Sequence, residues 1–364
     1  MPFVAHRPRI AWAAGFVTAV RLAYLALAAL SFVWAPVAHA TFDRWDSVWF
    51  IRIAEHGYTT PAAAAFFPVF PLVVRAVGWV VRDQLVAGII VSLVAAAWAA
   101  VLLERITRRR LGEPAGRIAV VLFALYPLAF VFTAVYSDAL FVLFVLLAVD
   151  FAERGRALPA GLAAALAVDT RLLGLALVPA LALILRRRSW PLLLVPAALG
   201  VWLLYLHEHY GDWLAFSHAE RRYWHRGPIG WHTVRTIESQ VANLLFHLPS
   251  SGALPPWAPL AVSGVVDLVA LAVALWLTWV VWKRFGAAYA SYSLLTLAIV
   301  VAAPSVEQPL ESLPRFLLAD FPLFVAGAAL LESRPRARTV VVVGFAALGA
   351  VAAVAFARGV AWIS

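Results

Sequence analysis

The amino-acid sequence predicts an all-α polytopic membrane protein, and three observations carry that expectation. Of 364 residues, 64% are hydrophobic and only 13% are charged, with a mean hydropathy of +0.88; a soluble domain carries about 25% charged residues. The apolar residues fall in runs of ~20, long enough to cross a bilayer as helices, and the alternating ~10-residue strands of a membrane barrel are not visible. The basic residues gather at the ends of those runs: "HRPR" at 6–9, "RRR" at 108–110 and 186–188, "KR" at 283–284 and "RPRAR" at 334–338. That is the distribution of the positive-inside rule, so the net charge of +10 points to anionic lipid headgroups rather than nucleic acid. Cysteine is absent, which excludes a disulfide framework and a thiolate metal site.

The basic clusters orient the elements. Arg7 and Arg9 place the N-terminus in the cytoplasm. A first span is expected over 12–33, in a run too long for a cleaved signal. Residues 34–83 then form one external segment, because 66–81 contains Pro68, Pro71 and Arg75 and is short for a span. It reads as a re-entrant or interfacial helix. Further spans are expected over 84–104, 117–135 and 139–152, and two more across the long apolar stretch before Arg186, meeting at Asp169–Arg171. After a span over 190–206 comes a second external segment, 207–257, and then spans over 259–282, 287–303, 315–331 and 339–357. The total is about eleven spans of bilayer length. The C-terminus lies outside, and residues 1–364 form a single membrane-embedded domain.

The unusual polar residues converge on the external face. "FDRWDSVWFIRIAEHGY" (42–58) crowds charges and aromatics between apolar runs. If a helix starts near Arg44, Asp43 is placed to cap it and Asp46 sits in its first turn. Phe42, Trp45, Trp49 and Ile53 then share one face, which suits an interfacial helix with tryptophan anchors. A carboxylate between two tryptophans at a membrane surface is costly unless it has a task, and near a helix N-terminus it tends to stay ionised. Asp46 is therefore a candidate general base. Arg171 and Arg315 fall at external helix ends. Each either pairs with a neighbour, Asp169 and Glu311 respectively, or binds phosphate through its planar fork. Asp138 follows Ser137 at a helix start, where either could cap. Arg21, Glu104 and Asp150, near cytoplasmic ends, read as snorkelling or capping groups. Asp267 and Asp320 read as helix–helix hydrogen-bonding groups. "HEHYGDW" and "HAERRYWHRG" are rich in histidine, but adjacent side chains point apart and no H-E-x-x-H is present. They read as an amphipathic loop helix rather than a metal site, and no nucleotide-binding motif is present.

These residues carry a family resemblance. "RWDSVWFIRIAEHGY" followed by "AFFPVFPLVVR" resembles the first-loop signature of PIG-V-type mannosyltransferases, the eukaryotic enzymes that add the second mannose to GPI anchors, and their bacterial relatives. The matching positions are Trp45–Asp46, Ile53–Ala54, Gly57–Tyr58, Ala65–Pro68 and Pro71. "YSDALFVLFVLLA", "AALAVDTRLLGLALVPAL" and "LPRFLLADFPLF" are similar to three further family blocks. Asp138 stands where the family usually has glutamate, and Leu172–Leu173 replace small polar residues.

The resemblance implies an inverting glycosyltransferase of the GT-C fold, with an external active site in the first loop and Asp46 as its catalytic aspartate. A polyprenyl-phosphate sugar, mannose by the resemblance, is the expected donor. The expected acceptor is a glycolipid or glycan, and a GPI precursor is not expected for a chain of this bacterial-like composition. Arg171 and Arg315 are expected at the donor phosphate. Asp43, Glu55, His56, Tyr58, Tyr136 and Asp138 are the expected substrate contacts. Neither a metal nor a cofactor is expected. The enzyme would sit in the plasma membrane. The competing class is a lipid-linked-sugar flippase or transporter, which predicts ionisable groups near the midplane and broken helices in paired halves. A different sugar on the same fold is the other alternative.

Overall fold

The computed structural model describes residues 7–34, 44–246, 258–306, 308–310 and 312–359. Among these, all regular structure is helical apart from one antiparallel bridge between Arg226 and Ser305. The helices are α1 (Arg7–Trp34), α2 (Asp46–His56), α3 (Val69–Val81), α4 (Gln84–Leu111), α5 (Glu113–Leu125), α6 (Asp138–Glu153), α7 (Ala157–Val168) and α8 (Leu177–Leu185). They continue as α9 (Leu194–Tyr210), α10 (Ala215–Tyr223), α11 (Trp231–Phe246), α12 (Ala258–Phe285), α13 (Ala287–Ala302), α14 (Leu313–Phe316), α15 (Phe321–Leu331) and α16 (Pro335–Ala357).

Among the described residues, five stretches are long and apolar enough to cross a membrane: one each within α1, α4, α12 and α16, and Trp190–Tyr210, which ends in α9. Counting each of two bent pairs as one span raises the number to seven. The chain is thus a multi-pass membrane protein, with fewer full-length spans than the expected eleven. The shortfall has a physical cause. The run expected as one helix over 117–135 bends by 76° between α5 and a 3-10 turn, Pro127–Thr133. The run expected over 315–331 bends by 82° between the segment Leu313–Ala319 and α15. Pro127 and Pro322 lie at the first positions after these breaks, where proline can start a helix but cannot continue one. α6, α7, α8 and α13 have only 16, 12, 9 and 16 residues; at 1.5 Å per residue even the longest reaches about 24 Å.

A break inside an apolar bundle frees backbone carbonyls that water cannot reach. Arg21 satisfies them. It lies midway along α1, fully buried, and its guanidinium donates to the carbonyls of Ala124 and Ala129 on either side of the first bend. The expectation that Arg21 snorkels or caps near a membrane surface is therefore corrected. Asp150 is likewise part of a network. At the C-terminal ends of α4 and α6, Arg109 pairs with Asp150 at 2.6 Å and with Glu153 at 2.7 Å, and Arg110 pairs with Glu153 at 2.5 Å. The Tyr289 hydroxyl donates to Glu153 at 2.6 Å. Two arginines of the 108–110 cluster thus bind protein carboxylates as well as facing outward. Asp320 behaves as expected of a helix–helix group, accepting from the Ser293 hydroxyl at 2.5 Å.

In the first loop, α2 starts at Asp46 rather than near Arg44, with Trp45 before it at φ 55°. The buried face of α2 is Ser47, Phe50, Ile53 and Ala54. Trp49 packs inward, stacking on Phe66 at 5.8 Å and meeting Trp224 edge-on at 5.6 Å, so it is not a membrane anchor. Trp45, the other expected anchor, is 38% exposed, and on α3 Trp79 and Val80 are 75% and 84% exposed.

Arg21→Ala is expected to cost roughly 2 kcal/mol or more, since two buried carbonyls lose their donor. Arg21→Lys should cost less. Thermal unfolding of the purified protein reads both, and an unchanged midpoint in the alanine variant would overturn the role assigned to Arg21.

Candidate active site

Four chain segments bring charge to one place. α2 contributes Asp46 at its first position. The start of α6 contributes Asp138, preceded by Tyr136. The turn after α7 contributes Arg171, and α14 contributes Arg315. The turn is tightly held: a Cβ on Gly174 would fall 2.5 Å from the Val168 backbone nitrogen. The Asp169 carbonyl accepts from the Val69 amide at 3.0 Å, which ties the turn to the first loop.

The charges form a chain. Arg315 Nη1 lies 3.1 Å from Asp46 Oδ2, and its Nε faces Asp138 Oδ1 at 3.9 Å. The same Asp138 oxygen takes Arg171 Nη1 at 2.7 Å. Arg315 and Asp138 are buried, while the Asp46 side chain is 25% exposed and is the open end of the chain. Asp138 Oδ2 is buried with no hydrogen-bond partner. The Tyr136 ring lies 5.2 Å below the Arg315 guanidinium. Burial first, and then the Asp46 charge, push the Tyr136 phenol up, so its hydroxyl stays protonated as a donor. Carboxylates paired with fixed guanidiniums hold their orientation, and unpaired buried polar atoms call for a ligand or water.

The sequence-local partners are not the ones used. Asp169 does not pair with Arg171; burial pushes its carboxyl up to about 6. Glu311, the local candidate for Arg315, lies outside the described residues, as does Asp43. Ser137 and Asp138 were possible caps, yet the start of α6 has no side-chain capping bond.

Glu55, His56 and Tyr58 are not brought to the cluster. Glu55 and His56 lie exposed near the C-terminus of α2, about nine or ten residues and so roughly 14 Å from Asp46. Glu55 lines a separate hollow of about 490 Å³ with Ile51, Arg82 and Gln84. Tyr58 is buried; its hydroxyl donates to the Phe66 carbonyl at 2.8 Å and its ring packs on Trp202 at 5.0 Å. His209 and Tyr210 at the end of α9 donate to the Tyr58 carbonyl at 2.7 and 2.9 Å. These three positions therefore shape and edge the loop. Two further histidines have ordinary partners: His207 stacks on Trp213 at 4.4 Å and His218 meets Asp212 at 2.5 Å. Among the described residues no three His, Asp or Glu side chains converge as a metal ligand set.

Sequence reasoning missed Glu220, Arg226 and Phe316. Glu220 is half-buried on α10, and burial pushes its carboxyl up against the opposing charge of Arg226. The Phe316 ring lies beneath Arg171 and Arg315, at 4.8 and 5.4 Å. "HAERRYWHRG" held the signal, but its histidines drew the attention that belonged to its glutamate and to Arg226.

Fold and site together define a multi-pass, all-α membrane protein with a buried carboxylate–guanidinium chain opening at the first loop. Residues 18–194 match the family model Mannosyltransferase (PIG-V). The chain is 35% identical over 144 residues to GPI alpha-1,6-mannosyltransferase 2 of Cricetulus griseus and of Mus musculus. The match covers 36% of this chain and 29% of each relative's length. Among solved structures, the archaeal oligosaccharyltransferase AglB of Archaeoglobus fulgidus, in complex with an inhibitory peptide and a dolichol-phosphate, aligns with a TM-score of 0.47 and 12% identity. That alignment covers 97% of this chain and 56% of AglB.

Asp138→Ala and Arg171→Ala should each destabilise the fold, because each leaves a buried charge without its partner. The double variant should lose less than the sum, with a coupling of about 1–3 kcal/mol. Additive losses in a double-mutant thermal-unfolding cycle would show that the 2.7 Å contact is energetically idle.

Proposed function

We propose that this protein is an inverting glycosyltransferase that moves a sugar, mannose by family, from a polyprenyl-phosphate donor to a glycolipid or glycan acceptor. In this reading the bundle is a GT-C fold in the plasma membrane, with the N-terminus cytoplasmic and the site on the extracytoplasmic face. The observation that carries it is the meeting of Asp46 with Arg315, Asp138 and Arg171: a part-exposed carboxylate at the open end of a buried guanidinium cluster.

The chemistry follows from that arrangement. An acceptor hydroxyl hydrogen-bonds Asp46, which takes its proton as general base. The hydroxyl oxygen forms a bond to the anomeric carbon while the bond from that carbon to the phosphate oxygen breaks on the opposite face. The electron pair leaves with the phosphate, through an oxocarbenium-like transition state. Phosphate is already a good leaving group, so what it needs is stabilisation of charge. Arg315 and Arg171 each keep N–H donors beyond those facing Asp46 and Asp138, and fixed donors aimed at developing charge supply that stabilisation. The unpartnered Asp138 Oδ2 and the Tyr136 hydroxyl are candidate contacts for the sugar hydroxyls. Cationic side chains can carry the leaving phosphate's charge, and Asp43, outside the described residues, is a further candidate contact by sequence.

Asp46→Asn is nearly isosteric and cannot act as a base. Transfer from a radiolabelled polyprenyl-phosphate sugar into membrane extract should fall roughly a hundredfold or more while the protein stays folded. Arg171→Ala and Arg315→Ala should weaken donor use. Unchanged transfer by a folded Asp46→Asn protein would remove Asp46 from the mechanism.

A further inference from the structure

The hollow beside Glu55 takes no part in the chemistry above. Glu55 follows Asp46 on α2 by about nine residues, roughly two and a half helical turns, so the two carboxylates leave opposite sides of the helix. The hollow, about 490 Å³ in volume, lies between α2, the end of α3 and the head of α4, with Glu55, Gly78, Arg82, Asp83 and Gln84 in its walls.

Its charges are set apart rather than paired. Asp83 is held in place as the cap of α4, its Oδ1 accepting from the Val86 amide at 2.9 Å. Glu55 has only the neighbouring His56 ring, 3.6 Å away. Arg82 ends α3 at a left-handed φ of 62°. Among the described residues, no carboxylate lies within ion-pair distance of its guanidinium. The Gln84 amide is seated against Gly78: a Cβ there would fall 2.1 Å from Oε1 and 2.5 Å from Nε2, so only a bare backbone leaves room for it. Gln84 Oε1 is buried with no hydrogen-bond partner. Two acids, a guanidinium and an unused amide oxygen, kept apart around one hollow, suit a ligand that carries both signs of charge.

Depth in the bilayer narrows the ligand further. α4 crosses the membrane with 28 residues, about 42 Å at 1.5 Å each, against roughly 40–45 Å for a bilayer with its headgroups. Its head, carrying Asp83 and Gln84, therefore lies at headgroup level. Trp79, at the same end of α3, is exposed, as suits a ring at the membrane–water boundary. From the hollow downward, Val86, Ile90, Val94 and Trp98 are exposed at every fourth position, one apolar track along α4. An anionic head would meet two carboxylates and one guanidinium, and a simple cation would leave Arg82 unmatched. A head with a phosphate and an ammonium answers both signs.

We propose that this hollow binds a zwitterionic phospholipid whose head carries a phosphate and a primary ammonium group. Arg82 takes the phosphate oxygens, Glu55 and the Gln84 oxygen accept from the ammonium, and an acyl chain follows the exposed track of α4. A lipid held there joins the end of α2 farthest from Asp46 to the head of a membrane-crossing helix, and so braces the first loop from outside the charged cluster. The site needs only the membrane-crossing bundle, and no step of the proposed transfer passes through it.

The test counts bound lipid. Full-length protein, purified in detergent and stripped of lipid, is titrated with dioleoyl phosphatidylethanolamine, phosphatidylcholine or phosphatidylglycerol, and complexes are counted by native mass spectrometry. The wild type should bind phosphatidylethanolamine most tightly. Phosphatidylcholine keeps both charges but its ammonium has no N–H to donate, and phosphatidylglycerol lacks the cation. Arg82→Gln and Glu55→Gln should each bind phosphatidylethanolamine roughly tenfold more weakly, with the unfolding midpoint of the lipid-free protein unchanged. Glu55→Lys should turn the preference toward phosphatidylglycerol. Soluble phosphoethanolamine, which has no acyl chain, should displace the lipid poorly. A wild type with no preference for phosphatidylethanolamine, or undiminished affinity in both glutamine variants, overturns the site. A Glu55→Lys protein that still prefers phosphatidylethanolamine overturns the place given to Glu55. Displacement by phosphoethanolamine as effective as by the whole lipid overturns the lipid assignment in favour of a small solute. A wild type that binds the lipid as expected but transfers no sugar leaves this site standing and sinks the transferase reading alone.

Discussion

Everything distinctive in this molecule depends on keeping guanidiniums paired where water is scarce, and Arg315 is where that constraint is tightest. It is buried on a four-residue helix and reaches both Asp46 and Asp138. To satisfy it, the first loop must fold back over the bundle, the run after α13 must break, and α6 must begin with an acid. An isolated buried charge costs several kcal/mol, and removing one partner of a pair exposes most of that cost. The geometry of the site is therefore locked by the same electrostatics that would make it useful, because a misplaced loop would strand a cation as well as lose a contact.

The bundle solves the problem of buried charge in two different ways. At Arg21 the solution is sealed from solvent: two donors go to backbone carbonyls at a bend, and the Nε has no partner. At the cluster around Asp46 it is open: one Asp138 oxygen has no partner and Asp46 reaches solvent. A sealed group of this kind braces the bundle, whereas an unpartnered polar atom beside a solvent opening can take a ligand. The contrast separates scaffold from site without appeal to any relative, and it explains why two arginines of similar burial are assigned such different work.

How far the sequence reveals this depends on how local the cause is. Long apolar runs and terminal basic clusters are local, so α1, α4, α9, α12 and α16 were legible. The two breaks were not, because a proline after a tyrosine or an aspartate–phenylalanine step reads equally well as a new helix or a continued one. In the site, Asp46, Asp138, Arg171 and Arg315 stood out through the family-like blocks around them, and so did Tyr136 beside Asp138. Their pairings did not. Arg171 has Asp169 two residues away and uses Asp138 instead, a choice made by the packing of α6 against the turn after α7. Glu55, His56 and Tyr58 share the signature block with Asp46, but an eleven-residue helix carries its two ends apart. Arg226 was marked only by its charged block "HAERRYWHRG", since its place depends on an antiparallel bridge to a residue 79 positions later by number, Ser305.

The cluster at the far end of α4 has a consequence in time as well as in space. Arg109 and Arg110 are paired in the finished protein with Asp150 and Glu153, and Asp150 lies 41 residues downstream of Arg109. During synthesis the arginines emerge first and stand uncompensated while α4 is being inserted, so any orienting signal they carry is delivered before the acids that cancel it exist. Once α6 arrives, the same side chains become a clamp. If these arginines orient α4, orientation and cohesion of the bundle are drawn from one set of charges at successive moments of the chain's biogenesis.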